Sequence, residues 1–190
     1  MRCGWCGDLP IYVEYHDTEW GVPEYDSLAL WEKLVLDGFQ AGLSWLTILK
    51  KRDALREAFH DFDPERVAAM GPDDVDRLLQ NAGIIRHRGK INAAINGARI
   101  WLDLAENGPG FGPMIWDYVG GAPVQNRYQT QSDVPTQDAL SAQISKDLRK
   151  MGFTFVGPTI VYAWMEACGL MNNHLTGCFR HDEVSAMNRG

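Results

Sequence analysis

The sequence predicts an all-α protein, and three observations carry that expectation. From Asp26 onward apolar residues recur at three- and four-residue spacing. Glycine, proline and aspartate fall between those stretches, where helices start and stop. Almost nowhere do apolar and polar residues alternate with the two-residue period of a half-buried strand. With 190 residues, 45% hydrophobic and 23% charged, the chain can bury a sizeable core. Its 7 Trp, 6 Tyr and 7 Phe argue against a disordered polypeptide. No apolar run approaches the roughly 18 to 20 residues of a membrane span, and Met1 to Asp17 lacks the charged-then-apolar order of a signal peptide. A cytoplasmic protein without a membrane partner is therefore expected.

The helices can be taken in order. Asp26 to Gly38 sets Leu28, Trp31 and Val35 on one side, with Asp26 or Ser27 as cap. Ser44 caps a second stretch running through Trp45, Ile48, Leu49 and Leu55 toward Phe59, with Lys50, Lys51 and Arg52 on its polar side. Asp63-Pro64 opens a short helix closed by Gly71, and Pro72 to Leu79 repeats the pattern. Arg88 to Leu104 carries a stripe of Ile91, Ile95, Ala98 and Leu102. A short helix follows around Met114 to Val119, then a loop from Gly120 to Pro135, then helices from Thr136 to Met151 and Pro158 to Leu170. One domain over 1–190 is expected, with its helical core at about 26–170. The ends, 1–25 and 171–190, lack long helical patterns, so something other than a private core must hold them.

Several residues stand out chemically. Cys3 and Cys6 have the two-residue gap of a zinc knuckle, His16 lies further on, and His174 and Cys178 sit four residues apart. Any four of these five can fill a tetrahedron, and such a zinc would be structural, because four protein ligands leave no position for water. Aromatics crowd the first 45 residues, from Trp5, Tyr12, Tyr15 and Trp20 to Trp45. Trp31 and Trp20 read as core. Tyr12 and Tyr15 lie outside any clear amphipathic pattern and suit a pocket that grips a flat or cationic ligand.

Asp37 falls near the C-terminal end of a helix whose dipole disfavours a carboxylate, on the side of Leu30 and Leu34. Either it is an exposed residue beside Gly38 or it has a functional reason to be there. The formal net charge is -7, which disfavours a protein that coats nucleic acid. Basic residues are nevertheless grouped: Lys50 to Arg52, Arg86 to Lys90, and Lys146, Arg149 and Lys150. Near the last group, Gly152 to Thr159 reads as a glycine-bounded turn opening a helix, a place where backbone N–H groups can meet a phosphate.

Together, Arg2-Cys3-Gly4-Trp5, Tyr15 to Gly21, Gln40 to Trp45, Gly83 to Arg88, Phe155-Val156-Gly157, Ala167 to Leu170, His174 and Cys178 resemble the 3-methyladenine DNA glycosylase I family over nearly the whole chain. That resemblance implies a helix-hairpin-helix glycosylase fold, with the turn at Gly152 to Thr159 as the hairpin and Phe155, Gly157, Thr159 and Lys150 among the DNA-contacting residues. It implies one structural zinc held by Cys3, His16, His174 and Cys178, with Cys6 displaced as a ligand, and no catalytic cofactor. Gly42 and Leu43 fall in the segment expected to approach the gap left by a flipped nucleotide. Tyr12, Tyr15 and Trp45, with Trp5 beside them, match the family's base pocket.

Asp37 stands where the family most often has glutamate, a base-reading carboxylate one methylene longer. Glu19 is a possible substitute, although its placement suits a surface or helix-capping role better. The implied reaction is hydrolysis of the N-glycosidic bond of 3-methyladenine in double-stranded alkylated DNA, leaving an abasic site, by a monofunctional monomer that does not cut the strand. The alternative is a zinc-stabilised protein that binds alkylation lesions without excising them, and a third reading is a binder of some other cationic aromatic.

Overall fold

The computed structural model describes residues 1–187; the last three positions of the expected 1–190 domain lie outside the described residues. Eleven α-helices are described: α1 (Pro10–Thr18), α2 (Ser27–Gln40), α3 (Trp45–Leu49), α4 (Arg52–Ala58), α5 (Pro64–Ala68), α6 (Pro72–Gln80), α7 (Arg88–Asn107), α8 (Phe111–Asp117), α9 (Ala139–Met151), α10 (Pro158–Ala167) and α11 (Phe179–Ser185). The all-α expectation needs one amendment. Strands β1 (Val124–Gln125) and β2 (Met171–Asn172) form a two-residue parallel ladder, with Val124 opposite Met171.

The core is continuous and rich in aromatics, with Trp31, Phe39, Phe59, Phe62, Phe111 and Trp164 all essentially excluded from solvent. α2 is its central element. Asp26 caps it by accepting from the N–H groups of Leu28 and Ala29; of the expected stripe Trp31 is buried, while Leu28 and Val35 are only partly so and Leu30 and Leu34 take the inner positions. α10 lies against it: Trp164 Nε1 donates to Leu30 O at 3.0 Å, and Lys33 Nζ to Ala167 O at 3.3 Å. These contacts turn the end of α2 and the end of α10 toward a common space.

Four differences from the sequence reading have physical causes. The stretch after Ser44 is two helices, broken at Lys51, whose Nζ leaves the polar face to donate to the carbonyls of Ala82 and Gly83, both at 2.9 Å. α9 starts at Ala139 rather than Thr136 because Asp138 is the cap, accepting from Ser141 N. α8 begins at Phe111, earlier than expected, after Gly110 at φ 85°. α1 and α11 carried no amphipathic signal because their residues serve the site described next rather than one apolar stripe.

The unpatterned loop 120–135 is tied down as well. Asn126 Nδ2 donates to Asn173 Oδ1 at 2.7 Å and Thr176 N to Tyr128 O at 2.9 Å. α10 stops at Ala167 because Gly169 follows at φ 66°, and a Cβ there would fall 2.5 Å from the backbone of Val22 and Pro23. No described helix is long and apolar enough to cross a membrane.

Candidate active site and metal centre

Two features adjoin at the N-terminal end of the fold. The first is a buried cluster of four side chains from opposite ends of the chain: Cys3, His16, His174 and Cys178, whose donor atoms all lie within 4.8 Å of one another. Cys178 Sγ is 3.5 Å from His16 Nε2, and Cys3 Sγ and Cys178 Sγ are each 3.7 Å from His174 Nδ1. A tetrahedral zinc with bonds of about 2.3 Å to sulfur and 2.0 Å to nitrogen separates its ligands by roughly 3.5 Å, so the spacing and donor chemistry fit such an ion.

The outer nitrogens are also held. His16 Nδ1 meets Asp17 Oδ1 at 2.8 Å, Asp17 is gripped by Arg2 at 2.7 Å, and His174 Nε2 meets the carbonyl of Trp20 at 3.0 Å. These partners fix each ring so that His16 presents Nε2 and His174 presents Nδ1. Cys6 stands outside, its thiol turned to the carbonyl of Cys3 at 3.1 Å. Gly21 belongs to this construction: at φ 82°, its missing Cβ would come within 2.9 Å of His174 Nε2.

The second feature is a cavity of about 230 Å³ walled by Trp5, Tyr12, Tyr15, Trp20 and Trp45. Trp5 organises the wall, meeting Tyr12 edge-on at 5.1 Å and Trp20 at 5.0 Å, while Tyr15 lies 5.4 Å from Trp45. Trp20 is thus a wall residue rather than core, and its ring sits edge-on to His174 at 4.6 Å. Trp31 is core, as expected. The metal cluster and the aromatic wall therefore share a boundary.

Asp37 lies in this cavity and is only 3% exposed, which excludes the reading of an exposed aspartate beside Gly38. Its Oδ2 is buried without a hydrogen-bond partner in the protein, as are the Nε1 groups of Trp5 and Trp45. Burial pushes the Asp37 carboxyl well above its usual range, Lys33 pulls it back, and Glu166 raises it further. Burial likewise holds the Tyr15 phenol protonated, with Asp37 adding to the effect. Unpaired buried polar groups are costly in an apolar setting, and three of them belong to residues that line this one cavity.

The possible substitute is also settled. Glu19 does not enter this cavity: both its oxygens are taken by Arg52, at 2.5 and 3.0 Å. The carboxyl that accompanies Asp37 is Glu166, on α10. The signal for it was present, because Glu166 is the one charged residue between Pro158 and Leu170. Gln40, Gln131, Ala163 and Ala167 complete the lining.

At the rim, Gly42 has φ 78° and Leu43 is an exposed apolar residue at 39%, its backbone held where Gln40 Nε2 donates to Leu43 O at 2.5 Å. The turn between α9 and α10 carries Gly152 at φ 103° and Phe155 at φ 57°, and Ser145 Oγ fastens it by donating to Val156 O at 2.6 Å. Phe155 turns its ring inward, 5.8 Å from His87. Gly157 and the exposed Thr159 open α10.

Of the basic groups, Lys90 is buried and donates to the carbonyls of Phe39 and Ala41 at 2.8 and 2.6 Å. It closes the C-terminal end of α2 rather than offering a charge to solvent. Arg88 pairs with Asp76 and Lys150 with Asp147, while Lys50, Arg86, Lys146 and Arg149 are exposed. Lys51 meets the turn at 82–83 and His87 lies against Phe155 in the turn between α9 and α10.

A helical body with an aromatic cage closed by a buried acid has a lining whose chemistry suits a flat, electron-poor ring. The chain belongs to the methyladenine glycosylase family: the family described as "Methyladenine glycosylase" matches residues 5–181. It is 53% identical to DNA-3-methyladenine glycosylase 1 of Escherichia coli over 93% of this chain and 95% of that one. It is 47% identical to DNA-3-methyladenine glycosylase of Haemophilus influenzae over 93% and 96%. Among solved structures, a crystal structure of 3-methyladenine DNA glycosylase I superposes with a TM-score of 0.93 at 53% identity, covering 94% of this chain and 98% of the other. A tyrosine-to-phenylalanine variant of such an enzyme, in complex with 3-methyladenine, superposes with a TM-score of 0.91 at 44% identity, covering 94% and 96%.

Proposed function

We propose that this protein is a monofunctional DNA glycosylase that hydrolyses the N-glycosidic bond of 3-methyladenine in double-stranded alkylated DNA. The observation that carries the reading is the cavity in which Asp37, with an unpartnered buried oxygen, closes a wall of Trp5, Tyr12, Tyr15 and Trp45. The named relatives and the 3-methyladenine complex of a related structure support it.

The chemistry suits such a pocket. Methylation at N3 makes the base a cation; water attacks C1′, the electron pair of the C1′–N9 bond goes to the base, and the water loses a proton. The leaving group departs neutral, so the lesion supplies much of its own reactivity. The aromatic faces attract the cation, which separates it from neutral adenine, and Asp37 accepts hydrogen bonds from the base edge.

The base must leave the stack to enter the cavity. The exposed Leu43, beside Gly42 on the rim, is positioned to fill the space it vacates. The α9–α10 turn, read as the helix-hairpin-helix element, brings the N–H groups of the α10 start at Gly157 and Thr159 to a phosphate, supported by the adjoining exposed bases. Phe155 serves as a backbone position there, its ring being inside. Cys3, His16, His174 and Cys178 hold one structural zinc, which when bound ties the ends of the chain together. The protein acts as a single domain and a monomer.

The test is chromatographic measurement of free bases released from methylated duplex DNA, wild type beside Asp37→Asn. Wild type releases 3-methyladenine without nicking the strand, and the substitution lowers kcat/KM by roughly 10²-fold. Equal release by both would move base reading away from Asp37. No release by folded, zinc-loaded protein would leave a lesion-binding protein instead.

A further inference from the structure

Glu166 lines the cavity with Asp37 but belongs to a different helix, and nothing in the reading above requires it. It stands in a built setting. Asn173 Nδ2 donates to its Oε1 at 2.8 Å and also to the hydroxyl of Tyr162 at 2.9 Å, while Asn173 Oδ1 accepts from Asn126 at 2.7 Å. The carboxyl is therefore aimed by a network that reaches into the 120–135 loop. No described cation pairs with it. Lys33, the nearest basic group of α2, donates to Ala167 O instead.

A carboxylate in an aromatic wall with no counter-ion is unfavourable until a cation arrives. We infer that Glu166 is a second base-reading carboxyl of this pocket, which together with the short Asp37 selects a positively charged purine over a neutral one. Asp37 and Glu166 approach the ligand from α2 and α10 and raise each other's cost of ionisation when the cavity is empty. A cationic base removes that cost, and a neutral base does not.

The same argument says where the effect falls in the reaction. Negative charge stabilises the bound cation, and the base loses its charge as the glycosidic bond breaks, so Glu166 favours the ground state more than the transition state. It is a specificity residue rather than a catalytic one. Burial raises its carboxyl to about 7, so the selection strengthens as pH rises through neutrality. The other titratable groups that line this cavity are Asp37 of α2 and Tyr12 and Tyr15 of α1, while Lys33 and Cys168 interact electrostatically with Asp37 and Tyr162 shares Asn173 with Glu166. Burial keeps both tyrosines of α1 and the Cys168 thiol in their neutral forms at neutral pH.

This inference rests on the glycosylase reading, and one experiment separates the two. Release of 3-methyladenine from methylated duplex is measured as KM and kcat for wild type and Glu166→Gln between about pH 5.5 and 8.5. Glutamine keeps the acceptor that Asn173 needs. The expected result is a wild-type KM that falls as pH rises through about 7, and a variant KM raised roughly tenfold at pH 8 with no such pH dependence, while kcat is unchanged or raised. Loss of kcat and KM together at all pH values would mean a structural role and overturn the inference. So would a variant identical to wild type. A wild-type KM flat across the range overturns it without any variant, which covers the case in which Glu166→Gln fails to fold. Absence of release by wild type overturns the glycosylase reading itself.

Discussion

Asp37 and Glu166 illustrate how far single residues could be read. An acid near a helix end stands out in the sequence as either exposed beside Gly38 or functionally placed, and the burial of Asp37 excludes the first. Glu166 sits in an equally apolar helix, yet its role depends on α10 meeting α2, a long-range contact that no local spacing encodes. Glu19 lies closer in sequence to the aromatics, but Arg52 takes both its oxygens and leaves it the surface role its placement suits. Glu166 also has a consequence for stability. Its folded-state pKa of about 7 lies above the ordinary 4.5, so the native state holds the proton more tightly than the unfolded chain. Its contribution is therefore most favourable below pH 4.5 and is lost as pH rises to about 7. Glu166→Gln should match wild type in thermal unfolding at acid pH and exceed it above neutrality by up to roughly 3 kcal/mol.

Helices with a clean apolar stripe and a cap, α2 and α7 above all, were legible to within a few residues because one residue type decides each end. α1 was not, since Tyr12 and Tyr15 face the cavity while His16 faces the metal cluster, which leaves no single stripe to detect. The basic cluster at 86–90 was legible as charge but not as function. Lys90 spends its ammonium on the last carbonyls of α2, and burial holds its pKa below the usual lysine value. Lys90→Met should lower stability by about 1–3 kcal/mol in denaturant unfolding and loosen hydrogen-exchange protection at Phe39 to Leu43. Gly169 makes a sharper demand. A Cβ there meets backbone 2.5 Å away at a positive φ, so Gly169→Ala should cost roughly 3 kcal/mol or more, read as a lowered denaturation midpoint.

Across the whole molecule, the expectation that the chain's ends need an external fastening finds its counterpart in the cluster of Cys3, His16, His174 and Cys178. Zinc itself was legible only as a choice among five ligands; Cys6 drops out because its thiol is turned to a carbonyl, a detail set by the turn at Gly4–Cys6. With the cluster loaded, removal of the ion by a strong chelator should lower Tm by roughly 6–12 °C, and calorimetry before and after re-addition of zinc checks it. Because Trp20 lies edge-on against His174, the loosening should also weaken 3-methyladenine binding, although no ligand atom belongs to the metal. The same edge has a bearing on biosynthesis. The aromatic side of the pocket is translated first and its backing last, so a ribosome that has not yet passed His174 and Cys178 holds a nascent chain with every aromatic wall residue made but unbraced. A chain that stops before His174 therefore lacks the ring that backs Trp20 in the pocket wall.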